Sequence, residues 1–344
     1  ASIFQPPVDE SGPFGYLAEK ASTNLVLQSQ AISTSPWGQT HTATTINATT
    51  APDGTTTADK LGDDGAGGAG ALTNYQLITI LSGTSTVSIY AKADQLNFLW
   101  VESSGFDVGA NGTTWFNLLT AAAATTASQH TVAVEQFPNG WVRCSITFTT
   151  TTDLAGILWF GIGTSDGSKN SDKDGTSSIY LWGAQAELGI YPTSYIPTTT
   201  TAVTRNADIL TVAESGAIDY TIGTLSLEAS RAHSVDDGNS SIIGAGGFIM
   251  YSIDGIANTT NNNSGATSVF GVSRLNNPVQ SAVVWGGSTK DVYHGVATAS
   301  GSFAAPLASG DIIVGAGTGD ASGMMSRNLK IFNSKLTAEE VGDL

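Results

Sequence analysis

Short runs of alternating apolar and polar residues recur along the chain, each closed by a cluster of Gly, Asn, Asp, Pro or Thr. A period of two puts alternate side chains on opposite faces, so each run reads as a half-buried strand. The order Arg143-Cys-Ser-Ile-Thr-Phe148 is one such run, and Pro138-Asn-Gly140 ahead of it is a turn signal. A helical bundle would need Glu, Lys, Leu and Arg in quantity, yet only 12% of the 344 residues are charged, against about 25% in ordinary soluble proteins. Gly supplies 40 residues, and Thr, Ala and Ser fill much of the remainder. At 40% hydrophobic residues the chain is too apolar to stay disordered. These features predict an all-β protein: two tandem antiparallel β-sandwich (jelly-roll) modules joined by a Pro/Thr-rich linker, with an extended N-terminal arm.

Residues 1–14 carry three Pro and no apolar period, and read either as an arm tied to a larger assembly or as a frayed terminus. The first module is expected over 15–191, with strands at 76–81, 86–93, 97–103, 113–119, 131–137, 141–150, 156–163 and 178–184. The Ala/Thr tract 120–128 has the length for one helical turn. Residues 192–208 form the expected linker, stiffened by Pro and β-branched side chains. The second module is expected over 209–344, with strands at 221–229, 241–253, 267–274, 280–286, 291–298, 310–316 and 326–332. Thr337 and Glu340 have the capping-box spacing of a short terminal helix.

Several functions are disfavoured. A net charge of −16 opposes binding to a phosphate backbone, so no nucleic-acid partner is expected. There is no run of 18 or more apolar residues for membrane insertion, and the opening ASIFQPPVDE has no signal-peptide character. A single Cys permits no intrachain disulfide and no Cys-rich zinc site, which suits folding in a cytoplasm. Catalytic patterns are absent too. Glycoside hydrolysis needs two carboxylates about 5–10 Å apart, but Glu102 stands alone on its strand and Asp172 and Asp174 lie in a Gly/Ser-rich loop. The four His are scattered without a nucleophile elbow. Cys144 reads as a buried, inert thiol, and the Gly-rich loop 63–70 lacks the Lys-Ser/Thr of a phosphate cradle. The chain is therefore expected to be non-enzymatic. Asn170, Asp172 and Asp174, followed by Gly175, mimic the first positions of a calcium loop, although Leu181 stands where a bidentate carboxylate belongs. No cofactor is expected beyond a structural calcium there.

Binding leaves clearer candidates. Sugar rings stack on exposed aromatics while amides and carboxylates read their hydroxyls. Trp37, Tyr75 and Trp115 lie in or beside loops with polar neighbours and are the glycan-binding candidates. In the second module Asp254 with Asn258–Asn263 reads as a polar loop able to contact a ligand.

Five segments carry a wider likeness: Gly15-Tyr-Leu-Ala-Glu with Thr23-Asn-Leu, Ala51–Leu61, Asn139–Phe148, Trp182–Pro197 and Ala202–Asp208. In this order they resemble the carbohydrate-binding-module-like jelly roll of tailed-bacteriophage fibre and decoration proteins. The closing Arg327–Val341 resembles a concanavalin/laminin-G-like domain. The resemblance implies a virion structural protein, a fibre, spike or decoration, assembled in the host bacterial cytoplasm. Its expected partners are other capsid or tail proteins, further copies of itself (a trimer) and host surface polysaccharide. Attachment to host glycans is the expected function. The alternatives are a purely structural decoration or tail-linking role, and a polysaccharide depolymerase if carboxylates from distant strands converge.

Overall fold

A computed structural model describes residues 16–212, 219, 221–231, 240–245, 248–253, 256–261, 265–272, 279–295, 297–302, 312–315 and 324–344. The expected arm, 1–14, lies outside the described residues. The chain divides into two compact units, the first holding Ser22–Arg205 and the second Gly12–Ala21 with Asn206–Leu344. The fold is an all-β sandwich with antiparallel sheets throughout.

In the first unit every expected strand is found. One sheet runs Ala122–Ala123, Gly112–Asn117, Phe98–Ser104, Leu154–Gly163, Gly70–Ile80 and Asn170–Ser171, with Gly38–Thr40 also on Gly70–Ile80. The other runs Thr131–Gln136, Trp141–Thr150, Gly83–Ala93, Ser178–Leu188, Ala58–Asp63 and Thr42–Thr49. Their inward residues form one core: Leu72, Ile78, Leu99, Phe116, Leu158 and Phe160 from the first sheet meet Val87, Ile89, Val142, Ile146 and Leu181 from the second. Cys144 is fully buried there, and burial pushes its thiol pKa up. The 120–128 tract makes no helical turn. Ala122–Ala123 pairs instead with Phe116 and Asn117, because small side chains bury too little to hold a helix.

Two boundaries differ from the sequence reading. Tyr16–Ala18, expected to open the first module, pairs with Met324–Phe332 of the second unit. Residues 192–198, expected in a linker, are hydrogen-bonded into the first unit, and Val203–Arg205 pairs with Ser22–Asn24.

The second unit holds two six-stranded sheets. One has the order Tyr16–Ala18, Met324–Phe332, Ile222–Arg231, Val279–Gly286, Thr289–His294 and Ala297–Ser302. The other has the order Ile209–Val212, Ile312–Gly315, Ser240–Ala245, Phe248–Ile253, Ile256–Asn261 and Gly265–Val272. The expected polar loop is largely strand: Ile256–Asn261 pairs on both sides, while Asp254 and 262–264 lie outside the described residues. The terminal helix Ala338–Gly342 carries the full capping box, and Val341 packs with Ala282 and Val284.

Candidate functional site

The two outward faces of the first unit differ. On the sheet containing Gly83–Ala93, the outward side is closed by its own chain. Asn24, fully buried, donates from Nδ2 to the carbonyls of Ala184 and Ile196 and accepts at Oδ1 from the amides of Val26 and Ala186. Gln185 accepts from Ile196 N–H, and Glu187 accepts from Thr193 through both backbone and hydroxyl. Arg143, also buried, donates to Ser88 Oγ and to the Thr193 carbonyl. Tyr90, Trp141 and Trp182 form an aromatic cluster with Tyr195 packed against it. This face is a lock that holds the 184–198 segment in place.

The other sheet leaves part of its outward face open. Antiparallel partners share a face, so the pairs Tyr75–Trp159, Trp159–Glu102 and Glu102–Thr113 set four side chains in one row across four strands. At a strand spacing of about 4.8 Å the row is about 14 Å long. The half-buried Tyr75 and Trp159 rings have centroids 4.4 Å apart at 38°. Tyr75 lies down on Gly38, where a Cβ would stand 2.3 Å from the ring. Any side chain at 38 would lift it.

Of the seven tryptophans, six donate their indole N–H to protein: Trp37 to Gln28 O, Trp100 to Ile162 O, Trp115 to Ser168 O, Trp141 to Thr50 O, Trp182 to Thr57 Oγ1 and Trp285 to Asp219 O. Among the described residues the Trp159 N–H has no protein partner, and neither has the Tyr75 hydroxyl. An amphipathic ring usually finds a partner for its polar end when buried. This pair keeps its polar ends for solvent or ligand.

The neighbouring row, Gly161–Trp100–Trp115, is closed. Trp100 lies on Gly161, where a Cβ would meet the indole at 2.2 Å, and the Lys169 ammonium sits 4.6 Å from the Trp100 ring. The row on the other flank, Leu77–Ile157–Ser104, is open, with Leu77 69% exposed. Glu102 is fixed at one oxygen: Oε2 accepts from Thr113 Oγ1 at 2.7 Å and from Lys169 Nζ. Its Oε1 has no protein partner among the described residues. Behind Glu102, on the inward side, His130 bridges Ser103 Oγ and Thr114 Oγ1 at 2.9 Å each. Burial holds its pKa below the ordinary histidine value, so it is a neutral core imidazole.

The three sequence-predicted aromatics therefore part company. Tyr75 stands in the open row. Trp115 is on the same face but closed over, 9% exposed. Trp37 points into the core, 7% exposed and 5.8 Å from Phe160, so it offers no ring face to a sugar. Trp159 was not singled out from sequence. The signal available was the run Ile157-Leu-Trp-Phe160, apolar on both parities, which in an antiparallel strand makes the outward face apolar too.

The calcium reading finds little support in the local geometry. Asn170 is in a strand pairing with Gly70 and Ala71, and Asp174 turns back to accept from the Thr176 amide and hydroxyl. The carboxylate that orders this region is Asp63, which accepts from Gly65, Gly175 and Ser177 N–H. Lys173 is nearly buried beside Gly70. Among the described residues no three His, Cys, Asp or Glu side chains gather as a metal site, and no helix is long and apolar enough to cross a membrane. No protein-family model matches the chain, and no curated protein matches it.

Proposed function

We propose that this chain is a non-enzymatic glycan-binding protein, and that it works as a fibre, spike or decoration of a tailed-phage particle, attaching to host surface polysaccharide. One observation supports binding above all: Tyr75 and Trp159 form a half-exposed aromatic pair whose polar ends have no protein partners among the described residues. Such a pair offers a flat apolar surface to a pyranose ring, with donors at its edge. Glu102, the single carboxylate of the row, then acts as an acceptor for sugar hydroxyls. The virion setting and the trimer rest on the resemblance of Thr23–Leu25, Asn139–Phe148 and Trp182–Pro197 to phage proteins. Many copies on one particle would raise weak single-site affinity to useful avidity.

The experiment is binding of the purified chain to host cells and to immobilised host polysaccharide, with immunogold labelling of intact particles. Saturable, sugar-competed binding, lowered about tenfold by Trp159→Ala, is expected. Even labelling of the head without cell binding would leave a purely structural decoration. Release of reducing ends from the polysaccharide would instead mark a depolymerase. No label on any particle would remove the virion assignment.

A further inference from the structure

We propose that Glu102 makes the Tyr75–Trp159 row selective for neutral sugars over their uronic-acid counterparts; the inference rests on the glycan reading above and names its substrate class. The argument starts from the ion pair. Lys169 is the cation bonded to Glu102, and it is doubly engaged, on Oε2 and over the Trp100 ring. A sugar carboxylate arriving at the row therefore meets an ammonium whose charge is already paired with a carboxylate. It also meets Glu102, whose Oε1 carries a negative charge and no protein partner among the described residues. Ionised carboxylates only accept hydrogen bonds. A neutral hexose supplies hydroxyl donors to that oxygen, and hydrogen bonds to a charged acceptor are the stronger kind. A uronate brings a like charge, which is penalised where water is partly excluded. Glu102 pairs across the strands with Trp159 and Thr113, so a ring seated on Trp159 lies beside it. The chain as a whole, at −16, pushes in the same direction.

Lys169 and Thr113 act as positioning residues. They saturate Oε2 and so leave Oε1 as the oxygen for ligand. Replacing the carboxylate with an amide removes the repulsion and at the same time releases the Lys169 charge. Preference should then turn towards the anionic sugar.

The test titrates the full chain with paired oligosaccharides that differ only at C6: glucan, galactan and mannan oligomers against their C6-carboxylate forms, read by tryptophan fluorescence and calorimetry at low and moderate salt. The wild type is expected to bind at least one neutral oligomer about tenfold more tightly than its uronate partner. Glu102→Gln should weaken the neutral oligomer and strengthen the uronate, closing or reversing the ratio, with the reversal diminished by salt. An unchanged ratio in Glu102→Gln, with binding still lost in Trp159→Ala, would overturn the selectivity inference and leave the glycan reading standing. Wild-type preference for the uronate would also overturn it. No binding of any oligomer would overturn both. Unchanged thermal unfolding of Glu102→Gln, with retained near-ultraviolet dichroism, confirms that each comparison is made between folded proteins.

Discussion

Asn24 ties together the closed face of the first unit, and its removal has a calculable cost. The side chain is fully buried and makes four hydrogen bonds, two from Nδ2 to the carbonyls of Ala184 and Ile196 and two into Oδ1 from the amides of Val26 and Ala186. Asn24→Ala leaves two carbonyls and two amides without that partner. At about 1 kcal/mol net for each bond, the loss is about 4 kcal/mol. That is a large fraction of the roughly 5–15 kcal/mol that holds a domain folded. For a unit of this size it lowers the midpoint by about 8–16 °C. Six of the seven tryptophans lie in the first unit, so their fluorescence during thermal and urea unfolding reports on it. The control is Thr23→Ala, which removes only an exposed hydroxyl pair with Thr204 and should cost less than about 0.5 kcal/mol. A loss below about 1 kcal/mol in Asn24→Ala, comparable to the control, would refute the claim that these four bonds fix the 184–198 segment.

Other consequences follow from the same geometry. Gly161→Ala places a Cβ 2.2 Å from the Trp100 indole, which is pinned by its bond to the Ile162 carbonyl; overpacking should cost about 1–3 kcal/mol in the same unfolding assay. His130 has a folded pKa depressed by burial, so the unfolded chain takes up the proton first. Stability should therefore fall as pH drops below about 6.5 and stop falling below the folded pKa, and His130→Gln should remove that component from the pH–stability curve. Cys144, buried and with its thiol pKa raised, should resist a thiol reagent in the native protein and react on unfolding.

The strands that could be read from sequence are those whose inward positions are apolar and whose outward positions are largely polar, even where both faces are buried. Trp141–Thr150 and Gly83–Ala93 alternate because Val142, Cys144 and Ile146, and Val87, Ile89 and Ala91, enter one core. Thr42–Thr49 was not legible, being an edge strand, mostly exposed, whose Thr and Asn residues carry no apolar period. Asn258–Asn261 reads as loop from its polar composition, whereas pairing on both sides supplies the ladder that composition does not suggest. The placement of Tyr16–Ala18 beside Met324–Phe332 is a long-range pairing, and nothing local in three residues specifies a partner so distant in the chain.

The site was half legible, for a related reason. Tyr75, a candidate because it stands beside polar residues near a Gly-rich loop, lies in the open row. Trp37 was wrongly grouped with it, because a loop position leaves inward and outward orientations equal in sequence. The residues of the open row, Tyr75, Trp159, Glu102 and Thr113, all fall outside the segments Thr23–Leu25, Asn139–Phe148 and Trp182–Pro197. Those segments instead supply the lock: Asn24, Arg143, Gln185, Glu187 and Thr193 satisfy one another and the buried backbone around them. Each lock residue has several partners and cannot change alone without leaving a buried polar group unmatched. Among the described residues the Trp159 indole N–H and the Glu102 Oε1 have no protein partner. Substitution in the row can therefore leave the lock, and with it the sandwich, intact. On the proposed glycan reading, the lock carries the architecture and the four side chains of the row carry the choice of sugar.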